Sequence, residues 1–137
     1  MMVKEDPIRE FLEARGCPEH IVEGGLDGLL EQWENAVDDV EETYPLGLDD
    51  YLDDMDGREL IEGAVEVAPP EVRRATAKRL QKADDRMKEL LVPAGRCLWG
   101  SDMAEQHDWT PQKNWWYFLQ PADPGPELKE DLESRRT

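Results

Sequence analysis

Between Leu26 and Val40 the apolar residues Leu26, Leu29, Leu30, Trp33, Ala36, Val37 and Val40 recur at spacings of three, four and seven. A helix with 3.6 residues per turn gathers those positions on one side, whereas a strand, with its period of two, scatters them over both faces of a sheet. A stripe this long commits the chain to helix packing, because the apolar face has to be covered by another element. The stripe is expected to end near Thr43, since Tyr44 precedes Pro45 and is pushed toward extended geometry.

Similar segments flank it. Asp6 followed by Pro7 reads as an N-cap with proline at the first helical position, and Ile8, Phe11 and Leu12 follow at helical spacing before Gly16. Pro18 opens another turn, and the pair Gly24 and Gly25 weakens any continuous helix there. Ala68-Pro69-Pro70 closes one helix and starts the next. In that next helix Val72, Thr76, Leu80, Ala83, Met87, Leu90 and Leu91 trace one face, which is expected to cross the centre of the fold.

The segment "LDDMDGRELIEG", Leu52 to Gly63, has the look of a calcium loop. With Gly57 at loop position 6, Asp54 and Asp56 fall correctly at 3 and 5. Leu52, however, occupies position 1 and Gly63 position 12, where the bidentate glutamate belongs. Two essential ligands are absent, so the aspartates need another account. Leu48, Tyr51, Leu52 and Met55 keep helical spacing with Asp49, Asp50, Asp53 and Asp54 between them, which makes these acids the outer side of a short helix. Asp56, three residues before Glu59, reads as a capping pair opening a second helix through Leu60, Ile61, Ala64 and Val65.

After Pro93 the pattern breaks. Trp99, Trp109, Trp115 and Trp116 lie here with Tyr117 and Phe118, without a long helical period; Thr110-Pro111 is a plausible helix start. Periodicity cannot decide whether Trp115–Leu119 is a buried strand or a single helical turn. The tail carries a proline-glycine linker and a weak helix with only Leu128 and Leu132 facing inward, expected to dock lightly or fray. The expectation is an all-α, single-domain bundle of five to six helices over residues 1–120, with an irregular, aromatic-rich C-terminal segment and a tail over 121–137.

Charge narrows the function. The charged fraction, 36%, stands well above the roughly 25% usual in globular chains, which requires a heavily charged exterior. The net charge of −17 is unevenly spread: Glu31 to Glu66 carries −13, and Glu71 to Arg96 carries +4. An acidic field repels nucleic acid and speeds association with basic proteins. The basic helix is expected to pair internally with the acidic ones. No apolar run approaches a membrane span and the N-terminus lacks signal-peptide character, so a cytoplasmic protein with reduced Cys17 and Cys97 is expected.

Catalytic constellations are sparse. Cys17, His20, Cys97 and His107 lack the short paired spacing of a structural zinc site. Cys97 with His107 is the alternative reading, a cysteine-dependent or metal-binding centre, but no oxyanion loop or activating helix start surrounds Cys97. A structural component of an assembly is a further alternative. No catalytic residue, metal or cofactor is therefore assigned. The expected function is that of a protein-binding module, a small immunity- or antitoxin-like inhibitor with an acidic helical surface for a basic partner such as a nuclease. Its expected contact residues are Asp38, Asp39, Glu41, Glu42, Asp49, Asp50, Asp53 and Asp54, with Trp115 and Trp116 as an aromatic hot spot.

Overall fold

The computed structural model describes residues 6–134, so the last three residues of the expected tail lie outside the described ones. Among the described residues are six α-helices: α1 (Pro7–Ala14), α2 (Glu19–Glu42), α3 (Leu48–Val67), α4 (Pro70–Leu90), α5 (Ser101–His107) and α6 (Pro126–Ser134). A two-stranded ribbon of β1 (Leu91–Pro93) and β2 (Leu119–Pro121) and a 3-10 turn at Trp115–Tyr117 complete the chain. The fold is all-α. No described helix is long and apolar enough to cross a membrane.

Local chemistry sets the boundaries. The Asp6 carboxylate accepts from the backbone N–H groups of Ile8 and Arg9 and so caps α1. In α2 the backbone leaves helical geometry at Gly25, with φ 60° and ψ −154°, a conformation open to glycine and strained for other residues. The helix therefore bends where the glycine pair weakens it. The apolar stripe beyond the bend is buried from Leu26 to Val40 as its spacing predicts, and α2 stops at Glu42 before Thr43.

α3 is one continuous helix, which corrects the expectation of two short helices divided at Asp56. Gly57 lies inside it without breaking it, because Tyr51, Leu52, Met55, Arg58, Ile61 and Ala64 are all buried and their packing outweighs a helix cost of about 1 kcal/mol for one glycine. Its N-terminal residue Gly47 has no side chain for a cap. The Asp131 carboxylate of α6 supplies one from 83 residues away, accepting from the Leu48 N–H at 2.9 Å. A side chain at position 47 would collide with Asp131 and Glu127. The tail helix thus packs on α3, with Leu128 and Leu132 buried in the common core.

The centre of the molecule is α3, packed against α1, α2, α6 and the 3-10 turn. The expectation that α4 crosses the centre is overturned. α4 lies on the outside against α2 and β1, with only Ala83, Asp84 and Met87 buried. Its face reads as central from spacing alone, but Val72, Thr76 and Leu80 are only half covered. The ribbon joins the end of α4 to the aromatic segment in antiparallel register, Leu91 opposite Pro121 and Pro93 opposite Leu119. Trp115 to Leu119 is therefore a 3-10 turn that runs into a strand.

One polar cluster sits inside this packing. Arg58 of α3 grips Asp84 of α4 with two hydrogen bonds, Nε to Oδ1 at 3.0 Å and Nη2 to Oδ2 at 2.8 Å. The Trp33 indole N–H of α2 also donates to Asp84 Oδ1, at 2.9 Å. The Arg58 guanidinium lies 4.5 Å from the Trp116 ring centre and donates to Glu62. Burial works against the Arg58 charge, but hydrogen bonding and attraction to Asp84 and Glu62 outweigh it and hold the guanidinium above its ordinary pKa. Removing one partner strands the other charge. Arg58→Ala or Asp84→Ala should each cost about 3–5 kcal/mol in urea unfolding, and the double variant Arg58→Met/Asp84→Met less than the sum of the single losses.

Candidate functional site

The basic helix meets the acidic one across the outer face of the bundle. Arg79 of α4 holds Glu34 of α2 in a two-point contact, with Nε and Nη2 at 3.0 and 2.7 Å from its oxygens. That contact keeps the Glu34 carboxyl below its ordinary range. Arg86 bridges Asp38 and Glu41 at 2.9 and 2.7 Å. Two of the expected partner-binding acids, Asp38 and Glu41, are thus engaged within the molecule, although exposed pairs of this kind add little stability.

The remaining acids gather at the turn from α2 into α3. Asp54 is half buried and accepts from the Tyr44 hydroxyl at 2.7 Å, with Tyr44 packed edge-on against Tyr51. Its carboxyl is pushed up by burial, against the help of the Tyr44 bond, and further by the charges of Asp39, Asp53 and Asp50. Asp53 is also pushed up, by partial burial and then by Asp56, Asp50 and Asp49. Asp39, Asp50, Asp53 and Asp54 are therefore close enough to repel, and among the described residues no cation pairs with Asp39, Glu42, Asp50 or Asp53. These four acids stay without an ion pair among the described residues.

A second feature lies further along α3, formed by residues that sequence reasoning did not assign to a site. Asp56 is not a cap. Its Oδ1 accepts from the Tyr117 hydroxyl at 2.6 Å and the Trp99 indole at 3.0 Å, and Glu59 Oε1 accepts from the Asn114 amide at 2.8 Å. Asp56 and Glu59 thereby fasten the aromatic segment to α3. Around them opens a cleft of about 580 Å³, walled by Trp99, Trp109 and Tyr117 and rimmed by Arg15, Cys17 and His107. Trp109 is stacked between His107, at 4.7 Å, and Tyr117, at 4.1 Å. α5, which the sequence pattern did not reveal, carries His107 to this wall.

The aromatic pair named from sequence lies elsewhere. Trp116 is 1% exposed, so it belongs to the core and its place as a contact residue is corrected. Trp115 is half buried, edge-on to Trp33 at 6.2 Å and under the Lys88 ammonium at 4.8 Å. The most exposed of the tryptophans is Trp99, at 37%. The expected helix start at Thr110-Pro111 is a single turn in which the Thr110 hydroxyl accepts from the Lys113 N–H.

The structure does not bring Cys97 and His107 into a catalytic pair. Cys97 is buried among Leu52 and Leu98, and burial pushes its thiol up, away from the reactive thiolate. His107 faces a different cleft, and no hydrogen bond joins the two. Among the described residues no three His, Cys, Asp or Glu side chains are grouped to hold a metal ion. No family model, curated protein or solved structure matches the chain. The functional reading rests on the chain's own geometry.

Two expectations follow. Asp56→Ala removes two hydrogen bonds to a charged acceptor and should cost about 2 kcal/mol with a change in tryptophan emission. A lost helix cap would cost about 1 kcal/mol and leave the emission unchanged. The second concerns pH. Because the folded carboxyl of Asp53 binds its proton more tightly than the unfolded one, its contribution to stability is full below the unfolded carboxyl range and is lost as pH rises through the raised folded value. Asp53→Asn should therefore melt higher than the parent at about pH 7, match it near pH 3, and in high salt keep only the part of its advantage that burial causes.

Proposed function

We propose that the chain is a protein-binding module that uses the acid-rich turn between α2 and α3 to associate with a basic protein. The observation that carries this reading is the mutual repulsion of Asp39, Asp50, Asp53 and Asp54, which α4 leaves uncompensated while its arginines pair with α2. A cationic surface laid on that turn relieves the repulsion and gains from the field of the whole molecule, which carries −17. Proteins that grip phosphates present such surfaces. Where the partner is a nuclease, occupying its cationic cleft makes this module an inhibitor of the immunity or antitoxin kind.

The test compares two variants of equal charge change against the basic protein that co-purifies with the chain. Asp50→Asn/Asp53→Asn alters the uncompensated turn, and Asp38→Asn/Glu41→Gln alters the acids already held by Arg86. The first should slow association by about fivefold at low ionic strength and flatten its salt dependence, and the second should change both far less. Equal effects would reduce the acids to a general contribution to net charge. Unchanged kinetics in the first variant would remove the turn from the interface.

A further inference from the structure

We propose that a second copy of the chain docks in the groove between α3 and α4, giving a two-fold dimer in which the two α4 helices pack antiparallel. The inference goes beyond the acid-rich turn, which lies at the N-terminal end of α3 and stays free in such a dimer.

The groove follows from how α4 is held. Only Ala68 and Pro69 separate α4 from α3, yet α4 leans on α2 and β1, and it is tied to α3 further along through Arg58 and Asp84. Between the two helices runs a groove of about 270 Å³, lined by Val65 of α3 and by Thr76, Ala77 and Leu80 of α4, with Arg58 and Asp84 at one end. Val65, Thr76 and Leu80 are half covered, and Ala77 is exposed. The small side chains of Thr76 and Ala77 let another helix axis come close.

Charge says what fits there. Arg79 and Arg86 are paired with acids of α2, but Arg74, Lys78 and Lys82, spaced by four and so in one row, are exposed or nearly so and make no ion pair among the described residues. On the α3 bank Glu66 is exposed and also without an ion pair, and Glu62 keeps its side chain half exposed while it accepts from Arg58. One bank is acidic and the other basic. A two-fold rotation makes such a surface self-complementary, because each copy offers the other the charge it faces.

The register follows from the connection. α3 and α4 run in opposite directions along the groove, being joined at Ala68-Pro69 and meeting through Arg58 and Asp84 at the other end. A second α4, antiparallel to the first about Ala77, brings its Lys82 beside Glu66 and its Arg74 toward Glu62. Approach from this side also meets the least of the −17, since Glu71 to Arg96 carries +4. Repulsion between more distant acids is screened within about 8–10 Å at physiological salt. The same overall charge disfavours nucleic acid on the basic row.

Sedimentation velocity at about 0.15 M salt reads the assembly. The parent should pass from monomer to dimer as its concentration rises. Glu66→Lys and Lys82→Glu, at exposed positions that leave the far-UV circular dichroism unchanged, should each weaken dimerisation by about tenfold, because the two-fold axis repeats each reversed pair. An equimolar mixture of the two variants should dimerise again, each supplying the charge that the other now requires. A general effect of net charge predicts otherwise, with Glu66→Lys, the less acidic chain, associating more strongly than the parent. That result, a dimer indifferent to both substitutions, or variants that stay monomeric when mixed overturns the assignment. A parent that stays monomeric to about 1 mM also overturns it, and leaves the groove to a foreign segment.

Discussion

The bidentate contact between Arg58 and Asp84 governs the arrangement of the rest. It is the point at which α3 and α4 are tied, at which α2 enters through the Trp33 indole, and over which the Trp116 ring is laid. A buried ion pair is a weak source of net stability, because desolvation cancels much of the attraction, yet it is exacting about geometry. Each of its oxygens has an assigned donor. The pair therefore fixes which turn of α4 faces α3 and how the aromatic segment lies across both, while the surrounding leucines supply most of the driving force.

That geometry decides where charge is neutralised. With α4 held on the outer face by Asp84, Arg79 and Arg86 project toward α2 and reach Glu34, Asp27, Asp38 and Glu41. The first turns of α3 lie beyond them. Glu34, Asp38 and Glu41 are thus compensated inside the molecule, while Asp53 and Asp54 at the α2–α3 turn stay among like charges. A uniform coat of acids would favour solubility alone. A compensated face beside a less compensated one is the asymmetry on which the proposed function rests.

Periodicity made some of this legible and concealed the rest. The Leu26–Val40 stripe, the Asp6–Pro7 start and the stop before Tyr44 followed from local rules, and all three are local in the structure. Asp56 illustrates the opposite case. Three residues ahead of Glu59 it satisfies the spacing of a cap, but buried residues on both sides of it carry α3 straight through, and its carboxylate is spent on Trp99 and Tyr117, 43 and 61 residues away. Gly47 is similar, since its cap comes from Asp131. The central place given to α4 failed because spacing reports which side of a helix faces inward and not how deep it lies. Among the tryptophans, sequence density pointed to Trp115 and Trp116, yet exposure fell to Trp99, a consequence of tertiary packing that no window of sequence records.

The aromatic segment is the other part of the structure that depends on long-range partners. It is held to α3 by hydrogen bonds to Asp56 and Glu59 and by the burial of Trp116 and Tyr117, and the same carboxylates line the cleft. Hydrogen bonds to charged acceptors 43 to 61 residues distant therefore close the C-terminal part of the fold.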